Sequence, residues 1–388
     1  MNARSIGGRI GTVAAVIIVT ILLTIGGWLT SLLTPYLMPS QASTQAQEVD
    51  ALMRFMMFIG GMIFLLVQGT IIWAVIFYRR REGDDSDGPN VHGNYALEFV
   101  WTLIPTIIVF VITIYSYSVW VSTRAPQENE QVVQIQAQRY AFAFEYFDQA
   151  SGVNINDNVL RTYVGRPVRL EMSAVDVIHS VWLPEMRVKQ DMLPGRDTEL
   201  RFTPIEAGRY RLVCTELCGG GHGGMQAEVL VYPDEESYMT WNDTVVECAL
   251  NPPEDPVVRG KDILASGRYP CNGCHVLDDL PTWAGIVGPS LNGIGERAVG
   301  RAEAAGDASA EEYINLSIRN PSAYIVPGYQ AVMPAFNEDQ MSDEELEAIT
   351  AYLLAQGGDA PEIENTCPVP DFDTVIAQYE DEQAVASR

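Results

Sequence analysis

The chain has 388 residues, enough for two or three domains. Its formal net charge of −26 excludes a nucleic-acid-binding protein, because phosphate groups would be repelled, and suits a basic protein partner or a soluble exterior. Six cysteines and four histidines are few enough to be accounted for one by one.

The first of three apolar runs near the N-terminus covers residues 10–33. Its 24 residues carry no charge, follow Arg4 and Arg9, and are enough to span a bilayer. The run is longer than the core of a signal peptide, although residues 40–42 also match a small-x-small cleavage site. Residues 1–35 are therefore predicted to be an N-terminal transmembrane helix or a signal.

The other two runs predict a transmembrane helical hairpin over residues 50–124. Residues 55–78 end in the cluster Arg79–Arg81, and residues 99–121 follow a polar loop. Because arginine-rich loops stay in the cytoplasm, the chain is predicted to leave it for the last time near Ser122. The remainder would lie outside a bacterial inner membrane, where oxidised cysteines and externally assembled haem centres are allowed.

Beyond Pro126 the hydrophobic pattern changes to a period of two. Apolar and polar side chains alternate along residues 133–138 and 168–173, with glycine- and proline-containing turns between such runs. This pattern predicts a Greek-key β-sandwich of short strands, a cupredoxin fold, over residues 125–235. A sandwich of this kind holds metal ligands on loops at one end of a rigid frame.

Residues 213–225 join two predicted strands and gather soft metal ligands. Cys214, Cys218, His222 and Met225 offer two thiolates, an imidazole and a thioether, and five glycines let the loop fold tightly around one point. Sulfur and nitrogen donors of this kind favour copper. The alternative is a pair of buried cysteines beside a surface histidine.

A second cofactor motif follows an acidic, proline-containing linker, residues 236–258. Cys271-Asn272-Gly273-Cys274-His275, here called the haem motif, is the attachment signature of a c-type haem. Its two thiols bond to the haem and the adjacent imidazole binds the iron. A zinc site would need further ligands, and the segment contains no other histidine.

The C-terminal part predicts a helix, a tail and a crosslink. Residues 342–345 form a capping box that opens a last helix, and residues 358–388 are an acidic tail predicted to be mobile and solvated. Cys248 and Cys367 are predicted to form a disulfide that anchors the tail to the linker. Two separate free thiols are the alternative, because spacing does not establish proximity.

The cysteine spacing of residues 213–225 resembles the binuclear CuA site of cytochrome c oxidase subunit II, in which an upstream histidine completes the ligand set. Residues 176–182 resemble the segment that carries this histidine. The resemblance implies two coppers bridged by the two cysteines and bound by the following side chains: His179, Cys214, Cys218, His222 and Met225.

The resemblance also implies two roles for Glu216. Its backbone carbonyl would be a further weak copper ligand, and its carboxylate would reach a magnesium site shared with the catalytic subunit. The alternative for the carboxylate is a solvated side chain.

Residues 92–105 are similar to the start of the second hairpin helix of the same subunit. In the family, the residue that matches Glu98 lies at the mouth of the proton channel that enters the catalytic subunit. A carboxylate here is costly if it faces lipid, so we expect it to face protein or water. An interfacial anchor without a proton role is the alternative.

One departure from the family concerns residues 138–146, which lack the tryptophan through which electrons from soluble cytochrome c enter. Phe142 stands where that tryptophan is expected. Docking of an external donor at this place is therefore in doubt.

Residues 259–357 resemble a class I cytochrome c. The resemblance implies a first helix over residues 260–266 and a Pro289 carbonyl that holds the second nitrogen of His275. It also implies Met333 as the sixth iron ligand, with Met341 as the competitor.

Together the resemblances cover about residues 50–355 and imply the electron-accepting subunit of a caa3-type haem–copper oxidase. Such a protein is membrane-anchored and multidomain, with transmembrane α-helices, a cupredoxin β-sandwich and an all-α class I cytochrome c domain. Electrons would pass from an external donor, such as a cytochrome or a quinol–acceptor oxidoreductase, through haem c and CuA to catalytic subunit I. Oxygen would be reduced to water there, with proton translocation.

The implied partners are subunit I, other oxidase subunits and the lipid bilayer. The first alternative is the CuA-containing subunit of a nitric oxide reductase. The second is a membrane-anchored electron carrier without a catalytic partner; three membrane helices argue against it, because a tether needs only one.

Overall fold

The computed structural model describes residues 3–80, 82–83, 92–280, 283, 285–357, 367 and 369–386. Parts of the predicted segments lie outside these residues, among them Arg81 of the arginine cluster and residues 358–366, 368 and 387–388 of the acidic tail. The chain divides into two compact units: residues 1–41 with 45–125, and residues 42–44 with 126–388.

The first unit is helical. Its elements are α1 (Ala3–Ser31), α2 (Thr34–Leu37), α3 (Thr44–Phe77) and α4 (Tyr95–Arg124). Three segments are long and apolar enough to cross a membrane: Val13–Leu37, Thr44–Phe77 and Tyr95–Arg124. Helix α3 begins well before the apolar run at residue 55, because polar residues continue the helix on its N-terminal side.

Small side chains bring α1 and α3 close together. Thr30 Oγ1 donates a hydrogen bond to the Met57 carbonyl at 3.1 Å, and a side chain at Gly61 would collide with Thr30. A side chain at Gly27 would likewise collide with the Phe58 carbonyl. Membrane helices commonly associate through such small residues, because they let two backbones approach.

The second unit contains a sandwich of two five-stranded sheets. The first sheet has the order β3-β2-β1-β5-β8 and the second β4-β10-β9-β6-β7, with parallel pairing of β1 with β5 and of β4 with β10. The sandwich confirms the predicted cupredoxin-like fold. Its strands are β1 (Gln131–Gln138), β2 (Ala141–Asp148), β3 (Val153–Asp157), β4 (Val159–Tyr163), β5 (Val168–Ala174), β6 (His179–Leu183), β7 (Val188–Met192), β8 (Thr198–Phe202), β9 (Gly208–Cys214) and β10 (Gln226–Tyr232).

Burial along the strands follows the period of two seen in the sequence. Val133, Ile135 and Ala137 of β1 are buried, while the glutamines between them are exposed. Ile135 pairs with Phe144 of β2. Because the same alternation sends even-numbered residues of β2 inward, Phe142 lies in the core and is only 2% exposed.

The predicted linker is wrong in part, because residues 235–250 form a helix, α5 (Glu235–Leu250). Asp234 caps its N-terminus by accepting a hydrogen bond from the backbone N–H of Ser237 at 2.8 Å. Trp241 is buried and meets Tyr146 edge to face, with ring centroids 5.5 Å apart. An aromatic face within an acidic segment thus anchors this helix to the sandwich.

The prediction of a mobile, solvated tail is wrong for residues 372–386, which form helix α10 (Phe372–Ala386). Phe372 is buried and packs edge to face on Tyr232 of β10 at 5.1 Å. Arg209 donates to Asp373 at 2.9 Å. The acidic composition of the tail did not indicate that this helix has a short apolar face, which packs against the sandwich.

The predicted disulfide is confirmed. Cys248 of α5 and Cys367 of the tail are bonded, with their Cα atoms 5.7 Å apart. The bond joins segments separated by 119 residues, so it strongly restricts the unfolded chain.

Replacing both cysteines by serine is expected to lower the free energy of unfolding by about 2–5 kcal/mol. Chemical denaturation followed by tryptophan fluorescence, to which Trp241 on α5 contributes, would measure the loss of stability. The single variant Cys367→Ser should lose as much as the double variant, because either change removes the crosslink. Unchanged stability in both variants would contradict the structural role of the bond.

In the rest of the second unit, the elements formed by the described residues are helical. They comprise α6 (Pro256–Ala265), a 3₁₀ turn (Pro270–Gly273), α7 (Ile294–Ala305), α8 (Ala310–Arg319) and α9 (Asp343–Leu354). The predicted capping box is present at Ser342 and Glu345. Helices α6 and α9 cross at Gly260, where a side chain would collide with the Ala348 carbonyl. These helices surround an apolar cavity.

Candidate functional site

The predicted copper ligands converge at one end of the second sheet. Strand β9 ends at Cys214 and β6 begins at His179, while residues 215–225, the copper loop, return the chain to β10. Cys214 Sγ lies 3.9 Å from Cys218 Sγ and 4.0 Å from His179 Nδ1. Cys218 Sγ lies 3.6 Å from His222 Nδ1 and 3.7 Å from Met225 Sδ.

The cluster is shielded from solvent and suits a soft cation. His179 is completely buried, and both cysteines and Met225 are buried as well. Burial and the charge of Cys214 raise the pKa of Cys218. Burial also opposes ionisation of Cys214, but hydrogen bonds with His179, with the backbone at Ser180 and Glu216 and with His222 together lower its pKa. The opposite shifts favour one thiolate and one thiol, and a bound cation would displace the remaining proton. Sulfur and imidazole donors in this set match copper.

Asp176 orients His179 by contacting the ring nitrogen that faces away from the cysteines. Its Oδ1 lies 2.8 Å from His179 Nε2, so the opposite ring nitrogen faces the cysteine sulfur. Arg139 donates to Asp176 Oδ2 through its backbone N–H at 3.1 Å and through Nε at 2.8 Å. Burial opposes the charge on Asp176, but these hydrogen bonds lower its pKa to about 2. Asp176 was not among the predicted site residues; the feature that could have indicated it is a carboxylate three residues before a ligand histidine.

Replacing Asp176 by alanine is expected to weaken copper binding about 10- to 100-fold, because a carboxylate behind a ligand histidine fixes its tautomer and orientation. Competition with a copper chelator would measure the affinity. Asp197→Ala, at an exposed aspartate of the same domain, is the control and should bind as the unmodified protein does. Equal affinity in the two variants would refute the orienting role.

Glu216 presents its backbone and its side chain to different surroundings. The backbone carbonyl oxygen lies 3.3 Å from Cys214 Sγ, within the cluster, whereas the side chain is exposed. The carbonyl is therefore placed as a weak ligand would be.

Glu98 takes part in a helix cap. Its Oε1 accepts a hydrogen bond from the backbone N–H of Asn94 at 3.2 Å, while Asn94 Oδ1 accepts one from the N–H of Leu97 at 3.2 Å. Each of the two side chains thus accepts a hydrogen bond from a backbone N–H group at the start of α4 that has no partner within the helix. This contact is local, so a proton role for Glu98 stays a prediction.

The haem motif lies at the wall of the helical cavity. His275 is buried, and its Nδ1 lies 2.7 Å from the Pro289 carbonyl oxygen, as predicted. Burial lowers the pKa of His275, so the ring is neutral and Nε2 keeps a lone pair for a metal. Gly288 allows this packing, because a side chain there would lie 2.6 Å from the ring.

The cavity suits a large apolar cofactor that carries polar groups. Its walls are mainly apolar, and its empty volume is about 1180 Å³ when the open mouth is included. Both Met333 and Met341 line it; Met341 is 1% exposed, whereas Met333 is only half-buried. Trp283 also lines it, and its buried Nε1 has no hydrogen-bond partner among the described residues. A bound group with an acceptor would satisfy that donor.

Comparisons with known proteins agree with the first two parts of this architecture. Residues 31–119 match the family model for the cytochrome c oxidase subunit II transmembrane domain, and residues 127–231 match the model for its periplasmic domain. The matched regions contain Glu98 and all the predicted copper ligands.

Several similar proteins carry the name cytochrome c oxidase subunit 2. Those from Synechocystis sp. and Thermostichus vulcanus are 33% and 36% identical, each over 53% of this chain and over 74% and 77% of their own length. The relative from Alkalihalophilus pseudofirmus is 29% identical over 75% of this chain and 83% of its own. With a transmembrane unit, a cupredoxin-like domain and these relatives in common, the chain belongs to the cytochrome c oxidase subunit II family and is a component of that oxidoreductase complex.

Proposed function

We propose that the chain is the electron-accepting subunit of a caa3-type cytochrome c oxidase. The five side chains of the cluster and the Glu216 carbonyl would hold a binuclear CuA centre, and the helical cavity would hold a covalent haem c. When bound, these groups supply one-electron transfer from an external donor to haem in catalytic subunit I, where oxygen is reduced with proton translocation.

The residues of the helical domain support the haem assignment. Cys271 and Cys274 offer thiols for covalent attachment at the cavity wall, and His275 offers a neutral Nε2 held in place by Pro289. Met333 would supply the opposite axial ligand. The alignment with the Alkalihalophilus pseudofirmus relative covers three quarters of the chain, so it extends past residue 231 into this domain.

The cluster supports the copper assignment. Two buried sulfur atoms 3.9 Å apart, each with a histidine nitrogen within 4.0 Å, form a compact donor set. Strands β6 and β9 fix His179 and Cys214, and β9 and β10 hold the two ends of the loop that carries the other donors, so little would move when the charge of the centre changes. The exposed Glu216 carboxylate remains available for a magnesium ion at the surface of subunit I.

The helices of the first unit support a membrane-bound partner. Three spans would place both redox domains on the extracytoplasmic side of a bacterial inner membrane. The contacts of α1 with α3 favour retention of the first helix rather than its cleavage. The hairpin helices would then face subunit I and other oxidase subunits.

One observation carries the proposal: the haem motif and the copper cluster lie in the same compact unit, on adjoining segments. Gas consumption by the intact complex with reduced donor tests it. We expect rapid, cyanide-sensitive oxygen uptake and a c-type haem spectrum from this chain. Nitric oxide turnover with little oxygen uptake would instead assign the subunit to a nitric oxide reductase.

Glu98→Gln is expected to slow oxygen turnover about tenfold without changing copper reduction, because the carboxylate would take up protons. Stopped-flow absorbance and oxygen electrode measurements would separate the two steps. Asn94→Ala is the matched control, since it weakens the helix cap but keeps the carboxylate. If both variants turn over alike, Glu98 is a capping residue only.

A further inference from the structure

The turn between β1 and β2 touches the haem motif directly. The carbonyl oxygen of Arg139 lies 3.9 Å from Cys274 Sγ. A side chain at Gly273 would lie 2.6 Å from the backbone carbon and oxygen of Tyr140 and 3.0 Å from the Ala141 side chain. Glycine at position 273 therefore lets the haem motif and the turn pack backbone to backbone. Cys274 is also part of the shell that packs against the sandwich core.

The same turn is bonded to the copper cluster. Arg139 donates twice to Asp176, whose other oxygen holds His179 Nε2 at 2.8 Å. Covalent bonds and hydrogen bonds thus run without interruption from the backbone of Arg139 to a candidate copper ligand. On this path between the haem motif and the copper cluster, the one through-space step is from Cys274 Sγ to the Arg139 carbonyl oxygen.

Tyr140 fixes the turn on the copper loop. Its side chain is 6% exposed, and it fills the space that side chains would need at two glycines of the loop. A side chain at Gly221 would lie 2.6 Å from the tyrosine ring, and one at Gly219 would lie 2.6 Å from its hydroxyl oxygen. The two residues of the turn therefore contact the haem motif, the copper loop and the orienting carboxylate at once.

We propose that Arg139 and Tyr140 are positioning residues that seat the haem motif against the copper loop and provide the electron route between the two centres. This inference rests on the proposed function. With both groups bound, the step would be a one-electron oxidation of the haem coupled to a one-electron reduction of the dicopper centre, with no proton moved and no bond formed or broken. The route runs from Cys274 across the gap to the Arg139 backbone, through its N–H to Asp176, and on to His179.

The route explains the missing tryptophan. In this chain its own haem segment covers the turn where the family receives a soluble donor, so an exposed aromatic ring is not needed there. The haem-bearing helices also meet the sandwich at Gly267, where a side chain would lie 2.4 Å from Asn158. The close contacts at Gly273 and Gly267 thus fix the position of the helical domain on the sandwich.

Gly273→Ala tests the seating without altering any proposed ligand. The added methyl would push the haem motif off residues 140–141, so haem-to-copper electron transfer should slow severalfold, because electron tunnelling falls steeply as a through-space gap widens. Flash photolysis of the full-length, cofactor-loaded protein measures the rate. Amide hydrogen exchange at residues 139–142 reports the packing separately and should become faster.

Gly300→Ala is the matched control, because a methyl at this helical glycine meets nothing within 4 Å. It should leave both the rate and the exchange unchanged. A Gly273→Ala protein with the original rate would overturn the inference, and so would a slower rate with unchanged exchange.

Two further variants keep the test decisive. If Gly273→Ala does not attach haem, Ala141→Leu adds bulk at the same contact from the sandwich side. The electron-transfer rate and the amide exchange of this variant then decide the test.

Arg139→Gln removes one of the two hydrogen bonds to Asp176 and should slow the transfer by a smaller factor. Arg209→Gln is its control, since both arginine side chains are 41% exposed and ion-paired. Absence of covalent haem from the unmodified chain would refute the proposed function instead.

Discussion

Cys218→Ser is expected to abolish the mixed-valence copper signal in electron paramagnetic resonance. Cys218 is the centre of the cluster, with Cys214, His222 and Met225 all within 3.9 Å of its sulfur. A serine hydroxyl is a hard, poorly ionised donor and cannot bridge two coppers as a thiolate does. Copper content and the signal should therefore be lost together, while the haem spectrum stays unchanged.

A pair of methionine variants provides the control for the copper centre. Met225→Leu removes a proposed ligand, and Met186→Leu makes the same change at a fully buried core methionine outside the cluster. Both should fold, because the two side chains have similar volumes. Only Met225→Leu should change the copper spectrum. A normal signal in Cys218→Ser would refute the ligand set altogether.

Met333→Ala is expected to remove the sulfur–iron charge-transfer band and to lower the reduction potential of the haem, because methionine ligation raises that potential. Met333 is half-buried at the cavity wall, so its loss should change stability little. The absorption spectrum of the oxidised protein measures the band, and redox titration measures the potential.

Met341→Ala is the informative counterpart, because both methionines line the cavity. Met341 is 1% exposed, next to the cap of α9, so alanine there should cost about 2–5 kcal/mol in the free energy of unfolding by leaving a cavity. The band should persist in this variant. Loss of the band in Met341→Ala and its survival in Met333→Ala would exchange the two assignments.

Elements with strong periodic patterns were predictable from the sequence. The alternation around Val133 and Ile135 gave the sandwich, and the apolar runs gave the membrane helices. The copper ligands were found because four of them lie within twelve positions of each other. Helices α5 and α10 were missed because their acidic composition masked a few aromatic anchors, Tyr238 and Trp241 in α5 and Phe372 in α10, whose contribution depends on tertiary packing.

Residues that act through contacts between distant segments were not predictable. Arg139 lies 37 positions from Asp176 and 135 positions from Cys274, and a single sequence does not reveal which pairs of that separation meet. Gly273 is one of the unspecified positions of the haem motif, so only the structure shows the backbone it faces. Trp283 appears as an ordinary core residue until its unpartnered N–H is seen at the cavity wall.

The Cys248–Cys367 bond closes the chain into a ring that contains helices α6, α7, α8 and α9 of the C-terminal helical domain. A protease that cuts once inside this ring leaves both fragments covalently joined, and the fragment ahead of the cut remains part of the membrane-anchored chain. A single cleavage of an exposed loop between Cys248 and Cys367 therefore does not release the domain into the surrounding medium. Under oxidising conditions two cuts between these cysteines are needed to separate its helices from the membrane-anchored chain.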